Sequence, residues 1–116
     1  MSRVEEAMAT QVVRVWKGYG TAEGVERYCR EHFATTVLPQ LQARKGFVDA
    51  NVLVRSSADE TEVVVATVWE SNDAVKAFAG DDDERAVVEP IVRDLLTRFD
   101  EHVTHYRLEL TARTRT

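Results

Sequence analysis

The sequence holds a single cysteine, Cys29, so no intrachain disulfide can form and a reducing compartment, the cytoplasm, is the expected setting. No apolar stretch is long enough to cross a bilayer, and the opening MSRVEEAMAT lacks the apolar segment of a secretory signal, so no membrane partner is expected. Basic charge is also scarce. Fifteen Lys and Arg face 20 Asp and Glu, for a net charge of −5. Nucleic acid is excluded as a partner on this ground, because binding phosphate takes clustered cations. The closing ARTRT reads as a solvated tail. There is no glycine-rich phosphate loop and no nucleophile motif, and DDDE (residues 81–84) lacks the alternating ligands and glycine of a calcium loop.

What remains is a chain of 116 residues, 44% hydrophobic and 30% charged, which suits one soluble domain with one core. The expected division is an N-terminal extension over 1–10, a folded domain over 11–110 and a tail over 111–116. Gln11 to Lys17 is rich in β-branched and aromatic residues and reads as a strand, broken by GYG. Thr21 offers an N-cap hydroxyl to a helix with Glu23 in its first turn. Val25, Cys29, Phe33, Val37 and Leu41 then recur every four residues, flanked by Tyr28 and Leu38, as one apolar stripe. Pro39 predicts a kink near Val37, and Gly46 a left-handed stop.

Phe47 to Arg55 and Glu62 to Trp69 read as strands around the turn SSADE. Ser71 caps a short helix ended by Gly80, and Pro90 opens a third helix with Ile91, Leu95, Leu96 and Phe99 on one side. Val103 to Leu110 alternates as a last strand. The order predicts an α+β, ferredoxin-like β-α-β-β-α-β fold with a four-stranded antiparallel sheet in the order 4-1-3-2. An internal echo supports it: VRVW before TAEGV resembles ATVW before SNDAV. The first and third strands are expected side by side and parallel, with Trp16 and Trp69 near the same end. Val63 to Val68 is apolar on both faces, so the sheet face away from the helices is expected to meet a second copy, giving a homodimer.

VWESNDAVKAFAGDDDERAVVEP, VVRVWKGYGTAEGVERY and the closing VTHYRLEL together resemble the antibiotic biosynthesis monooxygenase family of dimeric α/β barrels, over roughly Val12 to Leu110. The resemblance implies a small enzyme acting on an aromatic or polyketide-like substrate without a cofactor, and it also covers haem-degrading members. For the quinol-oxidising branch the family's tryptophan falls on Trp69. Its partner asparagine falls on Val65, and a tyrosine of the following helix falls on Val75. For the haem-degrading branch the helix tryptophan falls on Phe78 and the histidine on Val88, which leaves no axial ligand there.

Oxygenation without a cofactor needs a base, a donor for the developing oxyanion and a dry aromatic pocket. His105, on the last strand, is expected to approach Arg14 or Trp16 across the ladder and, with Arg14, to form the catalytic pair. Trp69, Trp16, Phe33, Val65, Val75, Phe78 and Tyr28 are the expected substrate-binding residues, for a hydrophobic or aromatic small molecule. Arg14 pairing with Glu109 or another carboxylate across strands is the structural alternative. Cys29 with His32, and His102 with His105, have two-ligand spacings without further partners, so no metal is expected. Three functions stay open: a monooxygenase, a cyclase, isomerase or lyase on the same barrel, and a non-catalytic binder of a hydrophobic molecule.

Overall fold

A computed structural model describes residues 11–112. The 1–10 extension and residues 113–116 of the expected tail lie outside the described residues. Strand β1 (Val12–Gly20) leads into a long helical stretch: α1 (Ala22–Arg27), a π-helical segment (Tyr28–Val37) and α2 (Leu38–Gln42). Strands β2 (Phe47–Ser56) and β3 (Thr61–Trp69) follow as a hairpin, then α3 (Asn72–Ala79). An irregular crossing segment over 80–91 leads to the one-turn α4 (Val92–Leu95) and the short strands β4 (Arg98–Phe99) and β5 (Thr104–Arg107).

The sheet runs β2-β3-β1-β4, with β5 also paired to β1, all antiparallel. This is the expected ferredoxin-like order, with the outer position divided in two. β5 covers Val12 to Val15 and β4 covers Gly18 and Tyr19 of the same edge. The expected parallel pairing of the first and third strands is corrected. β3 returns from β2 through a hairpin and slots between β2 and β1, so it runs against both. Trp16 therefore faces Val65, and Trp69 faces Val12, four positions away on the same sheet face.

Other boundaries shift for local reasons. β1 does not break at GYG but continues to Gly20, because Gly18 and Gly20 face inward where α4 ends. A Cβ on Gly18 would stand 2.6 Å from Leu96 Cδ1, so the missing side chain admits Leu96. The expected third helix shrinks to one turn, and Phe99 belongs to β4, paired with Gly18. Ile91 lies exposed. The caps stand as read: Thr21 accepts from Gly24 N–H, Ser71 accepts from Ala74 N–H, and Gly46 and Gly80 take positive φ.

The core fills the space between one sheet face and the helices, with Trp69, Val25, Val63 and Val75 fully buried. The opposite face of the sheet is open. Val13, Val15, Val64, Ala66 and Val68 are half-buried there, and Leu53 and Tyr106 are exposed. Gly24 sits where α1 meets α4, and a Cβ there would overlap the Leu95 carbonyl oxygen. Alanine favours a helix by about 1 kcal/mol over glycine, yet here the backbone clash should win. Gly24→Ala is expected to destabilise by about 1–3 kcal/mol, read as a lower midpoint in a chemical denaturation curve; an unchanged or raised midpoint would refute the contact.

Candidate functional site

Between the sheet and the long helical stretch lies a cleft with two lobes that share part of their lining, with cavity volumes of about 60 and 70 Å³, each open at its mouth. Trp16, Tyr28, Val37, Leu41, Phe78 and Val87 border both lobes. One lobe adds Arg14, Phe33, Val65, Thr67 and Val103. The other adds His32, Gln40, Val88, Glu89 and Val92. The lining is mainly apolar and aromatic with a few polar groups at its margins, the usual make-up of a small-molecule site.

The helix wall depends on its winding. Leu38 N–H donates to the Phe33 carbonyl, five residues back, so the middle of the helix is wider than an α-helix. In an α-helix each four-residue step over-rotates by about 40°. A π-turn takes up about 4.4 residues, which keeps positions four and five apart on one side. Tyr28, His32, Phe33, Val37 and Leu41 thereby all reach the cleft.

Arg14 comes from the middle of β1 and is only 5% exposed. Its guanidinium donates through Nη1 to the Asp83 carbonyl and through Nη2 to the Arg85 carbonyl at 2.7 Å. Nη1 also meets His105 Nε2 at 3.0 Å, across the Arg14–His105 pair of the ladder. Arginine has only donors, so His105 Nε2 must accept and its proton sits on Nδ1. The side chain lies over Phe78, 5.7 Å from the ring centroid. Arg14 forms no ion pair among the described residues, and Glu109 pairs instead with Arg107 at 2.9 Å. The expected Arg14–Glu109 alternative is thus corrected: Arg14 points inward, to backbone carbonyls of the crossing segment.

Burial lowers the Arg14 pKa from its ordinary value, partly offset by Asp83. Burial and then Arg14 lower that of His105. The Tyr28 phenol is pushed well above its ordinary range, first by burial and then by Cys29 and Glu89, so it stays a hydrogen-bond donor. Trp16 donates to the Asp100 carbonyl at 2.8 Å and packs near Tyr28 and Phe99.

Of the residues singled out from sequence, Arg14, Trp16, Tyr28, Phe33, Val65 and Phe78 border the cleft. His105 stands behind Arg14, outside the lining. Trp69 and Val75 are fully buried and also outside it. Trp69 stacks on Phe78 at 5.1 Å, meets Phe47 edge-on, and gives its indole N–H to Thr67 Oγ1 at 2.9 Å. It supports the wall from behind. From sequence, His32 is weighed only as a metal ligand with Cys29, and Glu89 is not singled out; their Nε2 and Oε1 lie 4.0 Å apart at the cleft. The signal for His32 is its four-residue spacing from Tyr28, which is itself read only as a flank of the stripe. Among the described residues, no three His, Cys, Asp or Glu side chains gather as a metal site, and no helix is long and apolar enough to cross a membrane.

The family model for antibiotic biosynthesis monooxygenase matches residues 8–90. The chain belongs to the antibiotic biosynthesis monooxygenase family. Solved structures share the fold. A Bacillus cereus protein assigned by name to the antibiotic biosynthesis monooxygenases is 18% identical, with a TM-score of 0.61, covering 91% of this chain and 98% of its own. An MhuD variant with two manganese protoporphyrin IX molecules per active site is 20% identical, with a TM-score of 0.59 and coverage of 89% and 99%. SnoaB, a cofactor-independent oxygenase from Streptomyces nogalater, is 19% identical, with a TM-score of 0.51 and coverage of 92% and 97%. No curated protein matches the sequence. As in other members of the monooxygenase family, the fold alone leaves the reaction open, and the residues of the cleft have to carry the argument.

The depressed His105 pKa has a consequence for stability. Above about pH 6.5, the ordinary histidine value, residue 105 is neutral folded and unfolded, and its contribution is fully present. As pH falls below that value the unfolded chain takes up a proton that the folded one resists, so stability is lost. The thermal midpoint of the wild type should therefore fall more between about pH 7.5 and 5.5 than that of His105→Gln, which can still accept from Arg14. Equal slopes for the two proteins would remove His105 as the source.

Proposed function

We propose that this chain is a cofactor-independent oxygenase of an aromatic, polyketide-like hydroxyl compound such as an anthrone or quinol. The observation that carries the reading is Arg14: a buried cation with no carboxylate in ion-pair range among the described residues, at the margin of a cleft walled by Trp16, Tyr28, Phe33 and Phe78. Three of its five N–H groups are engaged, which leaves two donors for a substrate oxyanion. Family membership and the fold shared with the oxygenase SnoaB support the reaction class.

In this reading the flat substrate lies among the aromatic rings with one of its oxygen functions toward Arg14. Loss of the proton makes an electron-rich anion, which Arg14 stabilises in a site poor in water. That anion reduces dioxygen directly. For an anthrone, the methylene carbon gains one oxygen atom and its two hydrogens leave with the other as water, giving the quinone. Val88, at the position of the haem-degrading branch's histidine, offers no ligand and supports a reaction without haem. His105 serves here as a positioning residue, since its Nε2 lone pair is taken up by Arg14. This weakens the alternative of a cyclase, isomerase or lyase with His105 as base. Polar groups at both ends of the cleft likewise weigh against a purely apolar binder.

The protein is read as working as a cytoplasmic homodimer, with the open sheet face of Val13, Val15, Val64, Ala66 and Val68 covered by a second copy. Val64→Lys should then give a folded monomer by analytical ultracentrifugation, whereas a wild type that sediments as a monomer at micromolar concentration would end that part of the reading. For the chemistry, oxygen uptake with an anthrone in metal-free buffer should be stoichiometric with quinone. Arg14→Gln should lower kcat/KM by about 10²–10³-fold. Product formation that continues without oxygen would overturn the oxygenase assignment.

A further inference from the structure

The described reading leaves open what takes the proton, and the lobe of the cleft away from Arg14 holds groups that it does not use. His32 is 6% exposed, on the π-wound segment, and borders that lobe. No described residue hydrogen-bonds either of its ring nitrogens. Its nearest charged neighbour is Glu89, on the crossing segment, with Oε1 4.0 Å from Nε2. Tyr28 stands beside it, ring centroids 5.8 Å apart, and is itself 5% exposed without a hydrogen bond to a described residue. Gln40 completes the polar rim.

We propose that His32, backed by Glu89, is the general base of this cleft, and that Tyr28 donates a hydrogen bond to the same substrate. The inference rests on the reading of the cleft as a site for an aromatic hydroxyl compound. The spacing explains the role. At 4.0 Å the His32–Glu89 pair is too long for a hydrogen bond with neutral imidazole, but within ion-pair range once His32 is charged. Taking a proton thus converts a loose contact into an ion pair between a buried imidazole and a part-exposed carboxylate. The step balances simply: the substrate O–H bond breaks, a bond from hydrogen to imidazole nitrogen forms, and the electron pair stays on oxygen. No electron is exchanged at this stage. Tyr28 cannot compete as the base, because burial holds it protonated. Nor can His105, whose acceptor nitrogen Arg14 occupies.

The two ends of the cleft then divide the work. His32 and Glu89 remove the proton from an oxygen at one edge, and Arg14 meets the charge that the conjugated rings carry to the oxygen at the other edge. The substrate class narrows accordingly to fused-ring compounds with oxygen functions at two separated edges, one for each pole. Phe78 and Trp16, which border both lobes, form the apolar surface between them.

The test uses a monohydroxyanthraquinone, already oxidised and therefore inert to oxygen, whose visible absorption distinguishes phenol from phenolate. At a pH where the free probe is phenol, the wild type should bind it and show the phenolate band. His32→Gln should bind it and show the phenol band, with Glu89→Gln intermediate; both should keep the wild-type circular dichroism. In turnover of an anthrone, His32→Gln should lower kcat by about 10²–10⁴-fold. A phenolate band that persists in His32→Gln, with binding intact, overturns the base assignment and leaves the aromatic-substrate reading standing. Failure of the wild type to bind the probe overturns that reading and this inference with it. If Glu89→Gln, exposed enough to leave the core undisturbed, matches the wild type in band and rate, the ion-pair argument is wrong.

Discussion

The architecture around the cleft depends on one buried guanidinium. Arg14 sits on the core-facing side of β1, where a charge is costly unless its donors are satisfied. It is satisfied by the carbonyls of Asp83 and Arg85 and by His105 Nε2. Three separate parts of the chain are tied at that point: the central strand, the segment that crosses the cleft mouth, and the last strand. The crossing segment is further fixed by Ala86 N–H to the Glu101 carbonyl and Val103 N–H to the Glu84 carbonyl. Because the segment carries Val87, Val88 and Glu89 into the cleft, the Arg14 contacts decide how that wall stands. The same placement puts a cation at the margin of the cleft.

The second constraint is the winding of the helix. A strict four-residue recurrence from Val25 to Leu41 fits an α-helix poorly, since the stripe would drift around the barrel of the helix by about 40° at each step. The π-wound middle absorbs the drift. Thr35 adds a local strut, giving its hydroxyl hydrogen to the Glu31 carbonyl at 2.6 Å. Pro39 lies in the first turn of α2, where its missing N–H removes a bond the helix would otherwise make. π-turns occur often at functional sites, and here the reason is visible: the wider turn lets Tyr28 and His32 face the sheet together with Val37.

Much of this was legible in the sequence, and the exceptions share a cause. Strands, caps and stops followed from local chemistry: β-branched runs, hydroxyls at Thr21 and Ser71, and glycines at 46 and 80. The approach of His105 to Arg14 followed from strand order and side-chain alternation. The errors came where a contact distant in sequence overrides a local preference. Gly18 and Gly20 signal a turn locally, but their lack of a side chain is used by Leu96, so the strand runs through them. Phe99 has helical spacing from Leu95, yet pairing with Gly18 draws it into the sheet. The direction of β3 was a matter of topology, fixed by the hairpin from β2 rather than by any residue.

Trp69 shows most clearly how the surroundings of a residue decide its role. An indole on the central strand can line a pocket only if its face is uncovered, and here Phe78 stacks over it. Its N–H, the one polar atom it could offer, is spent on Thr67, whose hydroxyl in turn approaches the Arg14 carbonyl at 3.4 Å. The tryptophan is thereby joined to the strand that carries Arg14. Where the family resemblance pairs this position with an asparagine and a tyrosine, the chain has Val65 and Val75, which hydrogen-bond through no side chain. Both positions therefore pack, and the buried polar or charged side chains of the described residues are Arg14 on β1, His32 on the π-wound helix, and Thr61 and Thr67 on β3. Buried polar groups are expensive to keep; Thr67 is spent on the Trp69 indole, which leaves Arg14 and His32 as the ionisable ones among them, and both border the cleft.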